Sequence, residues 1–335
     1  MIYAEGVSQA EKLAIQFGAA REREKLVKRV FHRFLPEQSK EEVKMYELKQ
    51  VSEKCYYINC PAKIGVYVAD KEHVYLIDSG NDKDAGRKVR QILDKNDWHL
   101  TAILNTHSNA DHIGGNRYLQ GQTGCKIYSG GIEAAFTKYP VLEPSFLYGG
   151  YPGKDLRHKF LMAQESDVTD FTDAEFPREI EVIPLPGHFF DMVGFRMPDG
   201  VVFLADCISS RETLEKYAVS FIYDVGAYLE TLDMVEGMEA VMFVPAHAEA
   251  SADIKDLVRY NREKVHEVSD KIFSICKKPQ NFENILQAVF KGYGLIMNFE
   301  QYVLVGSTVR SYLSWMKDTG RLNIAFENGM LLWQQ

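Results

Sequence analysis

The segment HSNADH, residues 107–112, gathers two imidazoles, an amide and a carboxylate within six positions, immediately after the apolar run TAILNT. Nitrogen and carboxylate donors this close together form the ligand set of a divalent metal ion. At the end of a strand, a loop can aim such groups at one point while a rigid sheet holds its base. A single histidine is more often a core or surface residue than a ligand, so the argument rests on the ensemble. Three further candidates stand in comparable places: His188 in EVIPLPGHFFDMVGF, Asp206 closing VVFLAD, and His247 in VMFVPAHAEA. Four of the nine histidines thus lie where an apolar run meets a turn, whereas His32, His73, His99, His158 and His266 have no such setting.

The elements that must position these side chains can be read from periodicity. From about residue 46 the runs KCYYINC, KIGVYVAD and HVYLIDSG predict antiparallel strands. A charged helix over 82–96, the strand TAILNTH and a helix after Asp111 follow, with further strands near 125–128, 179–184, 193–197, 201–205 and 240–245. Strands and helices are mixed rather than regularly alternating, which predicts layered sheets with helices outside. Leu13, Phe17, Leu26, Val30 and Phe34 fall at helical spacings, so residues 1–45 read as a helical N-terminal extension. Beyond residue 250 an apolar stripe from Ile254 to Ile275 predicts a long helix, and a second helix runs over 281–291. A third is expected from the capping pair Ser307-Thr308 to Gly320. Two short runs around Asn328-Gly329 then predict a hairpin. Helices closed by a hairpin outline a winged helix over 251–335.

Taken together, the motifs resemble those of the metallo-β-lactamase superfamily, whose signature is H-x-H-x-D-H followed by a Gly-His, an Asp at a strand end and a final His. The matching residues are His107, Asp111, His112, His188, Asp206 and His247, and Asp78 and Gly80 in LIDSG resemble the family's first motif, whose Asp is structural. The resemblance covers roughly residues 46–250 and implies an α/β (α+β) fold, a four-layer αββα sandwich carrying the helical extension and the winged-helix-like C-terminal domain. It implies one metal site at His107, Asn109 and His188, a second at Asp111, His112 and His247, and Asp206 bridging them. The cofactor implied is a divalent metal, zinc first, with iron or manganese as alternatives. Asn109 departs from the pattern by standing where the family has a histidine, and a neutral amide oxygen is a poorer donor for zinc than imidazole. Three outcomes stay open: two ions with Asn109 a weak ligand, one ion in the second site, or a catalytically dead relative. The implied chemistry is metal-assisted hydrolysis, with Asp111 and Asp206 orienting the attacking water and accepting its proton.

Composition narrows the field further. With 39 Lys and Arg against 47 Asp and Glu, the net charge of −8 gives no basic footprint for a nucleic-acid backbone. The expected third C-terminal helix carries Arg310 and Lys317 but also Asp318, which is no basic recognition face. The start of the chain lacks a basic segment followed by an apolar one, and no run is long enough to span a bilayer, so the reading is cytoplasmic. Five cysteines are odd in number and form no disulfide framework; all are read as reduced and mostly buried, Cys207 as structural rather than a soft ligand. In FLYGGYPGKDLRHKF, Tyr148, Tyr151, Lys154 and His158 fit a pocket wall or an ordinary Gly-rich loop equally well. The expectation is a hydrolase of a small-molecule thioester, lactone or other ester, with a homo-oligomer left open as its assembly. The competing readings are a non-catalytic binding or regulatory protein and, behind it, a nucleic-acid phosphodiesterase.

Overall fold

The computed structural model describes residues 45–335. The expected helices of residues 1–45 therefore lie outside the described residues, apart from Met45 itself. The chain opens with a meander, β1 (Glu47–Gln50), β2 (Cys55–Asn59), β3 (Ile64–Val68) and β4 (His73–Ile77). Successive strands of the meander pair antiparallel. The helix α1 (Lys83–Lys95) follows, with the Asp82 carboxylate accepting from the amides of Asp84 and Ala85 at its N-terminus. Strands β5 (His99–Leu104) and β6 (Lys126–Tyr128) extend the sheet in parallel to give the order β1-β2-β3-β4-β5-β6. Between them lie the short helix α2 (Ala110–Ile113) and α3 (Asn116–Thr123). Helices α4 (Gly131–Lys138) and α5 (Leu142–Tyr148) and a 3-10 turn at Lys154–Leu156 lead to a second sheet. It consists of β7 (Glu181–Pro184), β8 (Val193–Arg196), β9 (Val201–Ser209) and β10 (Met242–His247), in the order β10-β9-β8-β7. Helices α6 (Arg211–Tyr217) and α7 (Val225–Glu236) separate β9 from β10.

Burial shows how the two sheets pack. Tyr57, Ile77 and Leu104 of the first sheet share one apolar cluster with Phe195, Phe203 and Val244 of the second. On the other face of the first sheet, Val66, Leu76 and Ile103 pack on Val89 and Leu93 of α1 and Leu119 of α3. On the other face of the second, Val202, Leu204 and Cys207 join Leu232 of α7 and the long helix α8 (Lys255–Ile275). This is a mixed α/β protein. The same cluster takes in Leu286 and Val289 of α9 (Phe282–Tyr293) and Val309 and Leu313 of α10 (Phe299–Asp318). The C-terminal helices therefore share their core with the second sheet. All five cysteines are free and buried, as expected.

The third C-terminal helix begins eight residues before Ser307, at Phe299. The cap is Asn298, whose side-chain oxygen accepts from the Gln301 amide at 2.8 Å. Thr308 instead sits inside the helix and donates back to the Leu304 carbonyl at 3.2 Å. The hairpin forms as expected from β11 (Asn323–Glu327) and β12 (Met330–Gln334). Asn328 and Gly329 both take positive φ, 51° and 76°, which is what a two-residue turn of this hand requires. Among the described residues no helix is long and apolar enough to cross a membrane.

Candidate metal centre

Parallel pairing of β4 with β5 sets two loops side by side, and Asp78, just past β4, joins them. Its φ of 63° lies in the left-handed region, a conformation uncommon for Asp and here fixed by its partners. The carboxylate accepts from the Thr106 amide at 2.8 Å and the Thr106 hydroxyl at 2.7 Å, fastening the loop that carries His107. It lies 2.7 Å from Nδ1 of His112 on α2. Gly114 and Gly115 let that turn lie directly on the backbone of Ser79 and Asn81, where any Cβ would collide. His188 follows β7, while Asp206 and His247 stand on the parallel neighbours β9 and β10.

Asp206 reaches the centre through an irregularity. Val201 and Phe203 face the cluster between the sheets, and Val202 and Leu204 face the helices. Strict alternation would send Asp206 toward the helices as well. At Ala205, φ is 50° and the pairing with β10 shifts register between Val244 and Pro245. This bulge inverts the pattern beyond it. Cys207 consequently packs among the helices, and Asp206 turns to the histidines.

The hydrogen bonds fix the orientation of each imidazole. Nδ1 of His112 donates to Asp78, that of His247 to the Pro61 carbonyl at 2.9 Å, and that of His188 to the Phe221 carbonyl at 3.1 Å. The Thr106 hydroxyl spends its proton on Asp78, so it accepts from His107 Nδ1 at 3.0 Å. All four Nε2 atoms are left to face the centre. His112 Nε2 lies 3.1 Å from Asp206 Oδ1, and His247 Nε2 lies 3.1 Å from Asp206 Oδ2 and 3.5 Å from Asp111. Two groups emerge, His107 with His188 and Asp206, and Asp111 with His112 and His247, each with its donor atoms within 4.8 Å of one another. His107 Nε2 is buried without a hydrogen-bond partner, and His112 Nε2 and Asp206 Oδ1, 3.1 Å apart, have none besides each other. Orphaned nitrogen and carboxylate donors aimed at one spot fit a divalent ion.

Electrostatics divide the groups. Burial, then the neighbouring His112, holds the His107 imidazole well below its usual range, and burial likewise lowers His188. For His112 and His247 burial is outweighed by Asp206 and Asp111, which hold His112 well above its usual range and push His247 up to about 10. Against their own burial, Asp111 is held low chiefly by His112 and Asp206 chiefly by His247.

Asn109 stands at the head of α2 and donates from its amide nitrogen to Glu143 Oε1 at 2.9 Å. That leaves its carbonyl oxygen as the donor it offers a metal. Burial holds the Glu143 carboxyl well above its ordinary range. Glu133, which the sequence did not single out, accepts from the Ser108 amide at 2.9 Å and hydroxyl at 2.5 Å, and from the Asp191 amide at 2.9 Å. It thereby ties the His107 loop to the one following His188; burial pushes its carboxyl up to about 7. Asp78 was visible in its motif, but its bond to His112 was not.

A cavity of about 720 Å³ opens over the centre and includes Asp111, His188, Asp206 and His247 in its lining. Its lining also takes in residues from α6, α7 and α10, the stretch 219–221, and Phe160. The loop candidates fall elsewhere. Tyr148 lines a separate cavity of about 640 Å³, Tyr151 is exposed, and His158 lies 3.8 Å from Glu300. Lys154, itself exposed, opens the 3-10 turn.

Residues 60–247 match the family model of the metallo-beta-lactamase superfamily. The chain is 29% identical over 116 residues to a hydroxyacylglutathione hydrolase of Maricaulis maris, a match covering 34% of this chain and 36% of that protein. The chain thus spans about a third of the length of that curated relative. Over 213 residues it is 24% identical to the probable metallo-hydrolase YybB of Bacillus subtilis, covering 60% of this chain and 91% of that one. In fold it is similar to a metallo-beta-lactamase family protein of Thermus thermophilus, with a TM-score of 0.65 at 16% identity over 85% of this chain and 100% of that one. A beta-lactamase domain protein of Burkholderia ambifaria gives a TM-score of 0.64 at 15% identity, covering 86% and 93% of the two chains. The family model takes in more than half of the 335 residues and coincides with the centre's ligands, so the chain belongs to the metallo-β-lactamase superfamily.

Proposed function

We propose that the protein is a metal-dependent hydrolase of a small-molecule thioester, lactone or other ester. The observation that carries this reading is the set of four imidazoles with every Nδ1 spent and their other nitrogens gathered around Asp206 and Asp111. His107, His188 and Asp206 would hold one divalent ion, and Asp111, His112, His247 and Asp206 another, zinc being suited to this donor set. Such an ion lowers the pKa of water toward neutrality and polarises an ester carbonyl. Asp111 and Asp206 line the cavity floor, where they orient the attacking water and take up its proton. Asp78 and the Pro61 and Phe221 carbonyls keep the imidazoles aimed. A thioester is favoured by the hydroxyacylglutathione hydrolases among the relatives.

In the same reading, residues 46–250 form the four-layer αββα sandwich. Residues 251–335 form a winged-helix-like appendage that shapes access to the cavity or a contact between copies. The acidic balance argues for a small-molecule substrate rather than nucleic acid, and the protein is assigned to the cytoplasm. Elemental analysis of protein prepared without chelator, combined with assays on thioesters, lactones and phosphodiesters, tests the proposal. Bound metal with ester turnover is expected. Metal content and activity untouched in Asp111→Ala and His247→Ala would refute the site.

A further inference from the structure

We infer that the cavity is built for an apolar acyl group, so that the substrates are esters or thioesters of medium-chain or aryl acids rather than of short hydroxy acids. This rests on the hydrolase reading above and adds the identity of the acyl half. Phe160, Val219, Phe221, Leu304 and Val305 line the same cavity as Asp111, His188, Asp206 and His247, and the uncharged polar side chains of that lining are the small or neutral Asn81, Ser209, Ser220 and Gln301 and those of Thr213, Tyr217, Tyr228 and Thr308. Helix α10 contributes Gln301, Leu304, Val305 and Thr308, the i, i+3, i+4, i+7 stripe of a single helical face. Thr308 is fully buried and its hydroxyl is spent on the Leu304 carbonyl, so it presents no free donor to a ligand. Thr213 Oγ1 accepts from the Ser210 hydroxyl at 3.0 Å.

The charged groups lie at the other extreme. Apart from the metal ligands, Glu212 and Lys216 are the charged lining residues, and both are exposed. Lys216 donates to the Tyr217 hydroxyl at 3.0 Å. Phe160 is 56% exposed at the mouth. A ligand chain running from the carbonyl along Phe221 and α10 to Phe160 would remove that ring from water, and about 720 Å³ is far more room than an acetyl group fills.

The test is a chain-length series of S-acyl N-acetylcysteamine thioesters, acetyl to decanoyl, on the zinc-loaded protein, with benzoyl as the aryl member. Each methylene taken out of water is worth up to about fourfold. We expect kcat/KM to rise at least tenfold from acetyl to octanoyl. In Leu304→Asn and Phe160→Ser the octanoyl-to-acetyl ratio should fall toward one; Phe160 is exposed enough for its replacement to leave folding intact. Hydrolysis with a flat or falling dependence on chain length overturns the inference and leaves the hydrolase reading standing. An unchanged ratio in both variants also overturns it. Failure to hydrolyse any member, or a lactone and oxoester panel of the same acids, overturns the hydrolase reading itself.

Discussion

The two halves of the candidate metal centre each use two imidazoles but differ in charge. For His107 and His188 burial favours the neutral imidazole, and they share only Asp206, with the amide of Asn109 standing where the family pattern has a third imidazole. His112 and His247 face both Asp206 and Asp111, whose charges favour the protonated imidazoles. The second half is therefore the more anionic once its protons leave, by the charge of Asp111. A divalent cation should load there first, and the half next to Asn109 should fill later and more weakly.

The strongest way to break this comparison is to remove what the halves share. Asp206→Ala should cost at least about a thousandfold in ester hydrolysis and release metal from both positions, as read by elemental analysis. Single removals then separate the halves. His247→Ala should leave less than one ion per chain, whereas His188→Ala should keep one; equal losses would erase the distinction. The protons give a third handle, because a metal must displace those held by His112 and His247. Apparent zinc affinity should therefore rise with pH between about 6 and 8, by about tenfold per unit for each proton displaced. Calorimetry in buffers of different ionisation enthalpy should register that release. Asp78→Ala frees the Nδ1 of His112 and should weaken metal binding by about 10–100-fold in a chelator competition, chiefly at the second half. The smallest effect sharpens the contrast: Asn109→His should raise the second equivalent of bound zinc several-fold without tightening the first.

Most candidate ligands of the centre were legible because chemistry and chain position coincide in them. His107, Asp111 and His112 fall in one motif, and His188 and His247 end apolar runs that became the strands β7 and β10 or the turns beyond them. The meander and the Asn328-Gly329 hairpin were legible for the same local reason. Long-range pairing was not. Nothing in the sequence near Glu133 announces that its carboxylate will meet Ser108 and Asp191, since that contact depends on how α4 is laid across two loops. The start of α10 is ambiguous in the sequence because Ser307 and Thr308 satisfy the cap preference as well as Asn298 does. Only the continuing apolar stripe through Val303 and Val305, both buried, decides between them. The cavity wall from α10 is a tertiary fact of the same kind.

The inverted alternation at Ala205 also bears on how the chain finds its register. Slipping β9 by one residue would exchange the places of Asp206 and Cys207, putting a carboxylate among Leu232, Val258 and the other apolar side chains under the helices. Such a burial, with no partner for the charge, costs several kcal/mol. A correctly bulged strand avoids that cost by facing the carboxylate with His112, His188 and His247. Asp206 thus disfavours the slipped pairing, and the residue that joins the two halves of the centre also penalises the alternative register of β9.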